Sequence, residues 1–159
     1  MDALPKPWFD LRRYVEARLK EARYEAELAR EFLKMGLYRN AAGKAFQAWK
    51  AVVAARAAER IEDVRRAFPG SRRLRGSRRR VEKAYWIAAV MPTSLLKPVS
   101  QIVGGEISLY TNIALWLHEY QYNGPDPQGV LSPYPSDEYA KMDIEALLEA
   151  VEKLTSVTP

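Results

Sequence analysis

Cysteine is absent from the 159 residues, so neither a disulfide framework nor a thiolate metal site can hold this chain together. Histidine occurs once, at His118. With no second imidazole and no Glu-x-x-His spacing, a metal would find only scattered carboxylates such as Glu62, Asp63 and Glu106, and neither a metal nor another cofactor is expected. Long apolar runs are missing too. The most apolar stretch, Tyr85 to Trp116, is broken by Pro92, Lys97, Pro98, Gly104, Gly105 and Glu106, short of the roughly 20 residues a bilayer core requires. Met1 to Trp8 lacks the apolar run of a signal peptide, which gives a cytoplasmic expectation and no membrane. Also absent are a Gly-rich phosphate loop after a strand, a Ser-His-Asp arrangement and a carboxylate pair distinguishable from ordinary helix surface, so catalysis has no positive sequence support.

What is present fits one globular unit over residues 1–159, since 48% of the residues are hydrophobic and 28% charged. The net charge is +5, but the excess is concentrated between Arg65 and Lys83, while the carboxyl-terminal segment is acidic.

Periodicity argues for helices throughout. After Pro5 and Pro7, Asp10 is positioned as an N-cap, and Leu11, Val15, Leu19, Ala22, Ala26, Ala29 and Leu33 then recur at steps of three and four. Gly36 is the expected left-handed residue closing that helix, leaving Leu37 to Asn40 for a tight turn into an antiparallel partner. The partner spans about Asn40 to Arg66, with Ala42, Ala45, Trp49, Val52, Val53, Ile61 and Val64 turned inward. Phe68-Pro69-Gly70 ends it, and a basic loop over 69–80 follows. Val81 to Met91 reads as a helix stopped by Pro92. Ser94 is placed to cap a short helix to Val103, in which Pro98 fits only near the first turn. A helix from about Glu106 to Tyr122 carries Ile107, Tyr110, Ile113, Ala114 and Leu117 inward. A Pro/Gly-rich loop spans 123–136, and Asp137 is placed to cap a last helix with Met142, Leu147, Val151 and Leu154 as its apolar positions. No window shows sustained strand alternation. The fold class is all-α, an up-and-down bundle of four to five main helices opening with a helical hairpin.

The stretch Tyr14 to Ala51, with its turn Met35-Gly36-Leu37-Tyr38-Arg39-Asn40-Ala41-Ala42-Gly43-Lys44, resembles the opening hairpin of the archaeal PaREP family. That family is similar to HEPN domains, the higher eukaryote and prokaryote nucleotide-binding helical bundles. A second patch, Ala114-Leu115-Trp116-Leu117-His118-Glu119-Tyr120-Gln121-Tyr122, resembles the family's closing helix. The family pattern has an acidic residue where this chain has Gly43. Many HEPN domains are ribonucleases using an Arg separated from a following His by four to six residues. Here His118 and Tyr120 match, but the positions for the Arg hold Thr111, Asn112 and Ile113, and an imidazole without a fixed cation lacks the electrostatic half of that mechanism. The resemblance thus implies a HEPN-like, non-catalytic interaction or regulatory module that binds a nucleotide or a protein partner, or alternatively a degenerate ribonuclease using His118, with His118, Tyr120, Asn112 and Lys44 as the candidate ligand or weak catalytic site.

Two further readings come from the residues themselves. Arg72, Arg73, Arg75, Arg78, Arg79 and Arg80 could neutralise the phosphates of RNA or DNA, largely independently of sequence because no aromatic residue is interleaved among them. The competing expectation pairs these arginines with Glu145, Glu149 and Glu152, within the chain or across a dimer. Tyr38, Trp49, Tyr85, Trp86, Tyr110, Trp116, Tyr120 and Tyr122 could line a pocket for a flat ligand, or simply fill the core. A homodimer is expected because small bundles commonly pair a surplus apolar face across a two-fold axis.

Overall fold

A computed structural model describes residues 4–156 as a bundle of α-helices carrying one small two-stranded ribbon. Helix α1 (Leu11–Lys34) starts where Asp10, extended in its own backbone, accepts the Arg13 N–H at 3.1 Å. It closes in a Schellman motif: the Leu37 N–H reaches Phe32 O at 2.9 Å and the Gly36 N–H reaches Leu33 O at 3.0 Å. Gly36 holds φ +73°, a conformation that L side chains adopt only with strain. Gly36 closes the helix as the sequence predicts, but the turn is shorter than Leu37 to Asn40, since the next helix already starts at Tyr38.

Helix α2 (Tyr38–Glu59) is the hub of the bundle. It packs against α1 and against five helices still to come, and Ala41, Ala42, Ala51, Ala54 and Ala57 are among the residues that bury it on every side. Its alanines give that all-round burial, because a small side chain lets several helix axes approach at once. The helix does not run on to Arg66. It breaks at Arg60 (φ −111°, ψ 34°) and restarts as the short α3 (Ile61–Ala67). The break is held by Arg60 donating to Asp63 Oδ2 at 2.7 Å, and beyond it Ile61 and Val64 are buried.

The basic segment is a short hairpin rather than a loop throughout, with residues 74–79 as its turn. Strands β1 (Ser71–Arg73) and β2 (Arg80–Glu82) pair antiparallel with Arg72 opposite Val81 and Arg73 opposite Arg80. Three residues per strand are too few for alternation to show among so many arginines. Val81 is drawn into β2, so helix α4 spans Lys83–Val90, two residues later than its periodicity suggests. Met91, at φ 43°, ends it before Pro92. Helix α5 (Thr93–Val103) begins after Pro92 rather than after a Ser94 cap, which leaves Pro98 in the second turn rather than the first. Helices α6 (Gly105–Asn123) and α7 (Asp137–Thr155) complete the bundle, with Ser136 and not Asp137 in the cap position of α7. Met142 is 66% exposed, because the buried stripe of α7 passes through Ala140, Ile144, Leu147, Leu148 and Val151 instead.

Four long helices and α5 are therefore the main elements of an all-α bundle. Buried polar groups lock them in register. The Trp49 Nε1–H donates to Thr111 Oγ1 at 2.9 Å, which donates in turn to Ile107 O at 2.7 Å, joining α2 to α6. The Tyr14 hydroxyl of α1 donates to Ala88 O of α4. Among the described residues, no helix is long and apolar enough to cross a membrane.

Candidate functional site

The ribbon is where charge is least compensated. Residues directly opposite in an antiparallel pair point to the same face, so the buried Val81 carries Arg72 toward the helical body and leaves Arg73 and Arg80 side by side on the outer face. Arg73 turns its Nε–H to Ser77 O at 2.8 Å, and Arg80 donates to the Ser71 hydroxyl at 2.9 Å and to Ser71 O at 3.1 Å. These partners are neutral. None of Arg72, Arg73, Arg75, Arg78, Arg79 and Arg80 forms an ion pair among the described residues. The one carboxylate on the ribbon, Glu82, is taken by Arg65, whose own pKa is raised by hydrogen bonds to Glu62 and Glu82. Within the chain the acidic helix offers no relief either, since Glu152 accepts from Arg30 of α1.

No aromatic is interleaved in the arginine run, but the fold brings four of them up beside it. They come from neighbouring segments rather than from inside the run. The Arg72 guanidinium stands 3.6 Å from the centre of the Trp86 ring, and that of Arg79 stands 4.6 Å from Phe9. Arg65 lies over Tyr85 at 5.8 Å and Lys83 over Phe68 at 5.9 Å. Cation–π contact orients these side chains without neutralising them. At the tip, Gly76 (φ +74°) closes a turn in which the Leu74 N–H reaches Arg79 O at 2.9 Å. Sequence reading found the arginines but not the rings, because Phe9 and Trp86 approach the ribbon only through the fold.

The four candidate ligand residues of the hairpin and closing helix do not converge. Lys44 pairs with Glu25 of α1 at 3.1 Å, and Asn112 accepts from Lys97 of α5. Tyr120 is fully buried, donates to Asp137, and has its pKa raised by burial and by that carboxylate. His118 stacks on Phe46 (centroids 4.2 Å apart, planes 26° apart), meets Tyr122 edge-on at 5.1 Å, and has a buried Nδ1 with no partner. Burial and the nearby Lys50 charge hold its pKa below the usual value, so the imidazole is neutral at pH 7. Lys50, missed in the sequence because it sits in an alanine-rich helix, has its own pKa lowered by burial and by Arg18. Of the positions where a nuclease Arg would stand, Thr111 is locked to Trp49 and Ile113 packs against the core. Gly43 has its reason here: a Cβ would stand 2.6 Å from the Gln121 side-chain nitrogen of α6, leaving no room for an acidic side chain without moving Gln121.

The eight aromatics share no pocket. Trp49 and Tyr120 are core, and Trp116 and Tyr122 are exposed. Tyr38 and Tyr120 reach an open cleft of about 260 Å³ at the α1–α2 turn, beside Arg39 and Asp137, and Tyr110 reaches a separate one of about 130 Å³ beside Glu106 and Glu149. Arg39 is occupied there, donating to Gln121 O at 3.0 Å and to Tyr122 O. No cluster of three or more metal-ligating side chains occurs among the described residues.

Fold and site together define a small α-helical bundle that presents an arginine-bearing β-ribbon. The chain belongs to the archaeal PaREP1/PaREP8 family, whose model matches residues 17–145, a span that takes in both the ribbon and His118. No curated protein and no solved structure matches it.

Proposed function

We propose that the protein is a non-catalytic nucleic-acid-binding module that grips the phosphate backbone with the ribbon. The observation that carries this reading is the Arg73–Arg80 pair. Like charges directly opposite across a ribbon repel, and here no carboxylate of the described chain offsets them. A polyanion placed over the outer face would remove that repulsion and release counterions as it bound. A nuclease reading has less support, since His118 is stacked on Phe46 with its pKa lowered, and Lys44, Asn112 and Tyr120 each bond to other groups. The same reading puts the site of action in the cytoplasm. Pairing with a second copy belongs to the proposal through α6, where Leu109 (69% exposed) and Trp116 (47%) lie two helical turns apart on the surface; a monomer in sedimentation at high concentration would remove that part.

The main test is fluorescence anisotropy with labelled oligonucleotides across salt concentrations. If four to six phosphates are neutralised, affinity falls roughly 10²–10³-fold between 50 and 200 mM salt. The double variant Arg73→Ala/Arg80→Ala should make the slope of log K against log salt shallower by about two. No binding at low salt, or a slope unchanged by the double variant, would refute the proposal.

A further inference from the structure

We infer that the ribbon's ligand is duplex DNA, entered through the major groove, with Arg75 and Arg78 meeting base edges; this rests on the phosphate-binding reading above. Four of the six arginines have tasks within the fold. Arg72 and Arg79 lie over rings, and Arg73 and Arg80 bond to the ribbon itself. Arg75 and Arg78, on either side of Gly76 at the tip, are exposed. They have no side-chain hydrogen bond, ion pair or ring contact among the described residues. A guanidinium at an exposed tip with its whole donor fork free is suited to paired acceptors, and guanine presents O6 and N7 together in the major groove.

The dimensions agree. From Ser71 to Leu74, where the chain enters its turn, it advances three residues, about 10 Å at roughly 3.3 Å each, and two strands stand about 4.8 Å apart. That reach exceeds the depth of about 8.5 Å of a B-form major groove, and a two-stranded ribbon fits its width of about 12 Å, whereas the minor groove, about 6 Å wide, is too narrow. The major groove of A-form RNA is deep and closed to side chains. Gly76 adds to the fit, for nothing lies within 4 Å of where its Cβ would stand, so the tip is slim and unobstructed. A single strand is disfavoured for a different reason. Binding one calls for several open rings on which successive bases stack, and here Trp86, Phe9, Tyr85 and Phe68 each already carry a cation. Only Phe9, 69% exposed, keeps much open area.

The experiment compares one sequence of mixed composition as duplex DNA, duplex RNA and single-stranded DNA at a single salt concentration, with dimethyl sulfate footprinting of guanine N7. The expected result is a preference for duplex DNA of about tenfold or more, the scale of one good bidentate base contact, together with protection of N7 at the bound site. Arg75→Ala/Arg78→Ala should abolish both the preference and the protection while leaving salt-dependent binding to all three ligands. Circular dichroism would show that this exposed-tip variant keeps its helices. Equal or tighter binding to single-stranded DNA or duplex RNA, or duplex binding without N7 protection, overturns the inference and leaves the phosphate-binding reading standing. Absence of binding to all three overturns both.

Discussion

Single side chains account for much of how the elements are joined, and two of them can be tested alone. The Tyr14 hydroxyl donates to Ala88 O and accepts the Arg18 Nε–H at 2.9 Å, tying α1 to the end of α4. Tyr14→Phe leaves the Ala88 carbonyl unpaired in a fully buried place, at a cost of about 1–3 kcal/mol. Thermal unfolding should show a melting temperature lower by roughly 2–10 °C. His118 gives a prediction in pH. Its pKa is depressed in the folded state, so the unfolded chain takes up the proton first. The stability that the neutral ring contributes is complete above the unfolded value of about 6.5 and is lost as pH falls from there through the folded value. His118→Phe keeps the stack on Phe46, discards the orphaned Nδ1, and should flatten the stability profile between about pH 7 and 5 in urea titrations.

At the scale of elements, what could be read from the sequence depended on whether a local pattern matched the force that decides the outcome. The α1 cap, the Gly36 turn and the burial of Trp49 and Leu117 were legible because each is set by chemistry within one or two turns of helix. The break at Arg60 was not, since it depends on Arg60 reaching Asp63 and on Ile61 and Val64 finding a core built by other helices. Met142 was misplaced for a related reason: several apolar residues of α7 compete for the buried stripe, and packing against α1, α2 and α6 decides among them. The connection between α6 and α7 is more ordered than its Pro and Gly content suggests. The Asp126 carboxylate accepts the N–H groups of Gln128, Val130 and Leu131 at 3.1, 2.8 and 2.6 Å. These backbone bonds, led by Leu131, hold its pKa below the usual carboxylate range. Their stabilisation is present at neutral pH and is lost as pH drops below about 3.9 through the depressed folded value. Asp126→Ala should therefore free the Val130 and Leu131 amides to fast hydrogen exchange at pH 7 while the helices stay protected.

For the whole molecule, the candidate site was legible as composition and illegible as shape. Six arginines in nine residues announce a phosphate-seeking surface. That they sit on a ribbon, that Arg73 faces Arg80 and that Glu82 is claimed by Arg65 follow only from a pairing register that the fold imposes. The bundle itself does not need the tip. Replacing residues 74–79 with a two-residue Asn-Gly turn, the commonest short hairpin connection, should leave the melting temperature within about 2 °C, because none of the removed side chains is buried in the core. Nucleic-acid affinity should fall at the same time.

The facing arginines also make the ribbon's own integrity a reporter of what it holds. An element strained by mutual repulsion opens more often than the helices behind it, and a ligand that binds only the closed form lowers the population of the open one by mass action. Trypsin cleaves after arginine and reaches a segment when it opens, so the unliganded protein should be nicked first between Arg72 and Arg80. Slower nicking at that one place, with the helices unchanged, would then measure occupancy without any label on the ligand.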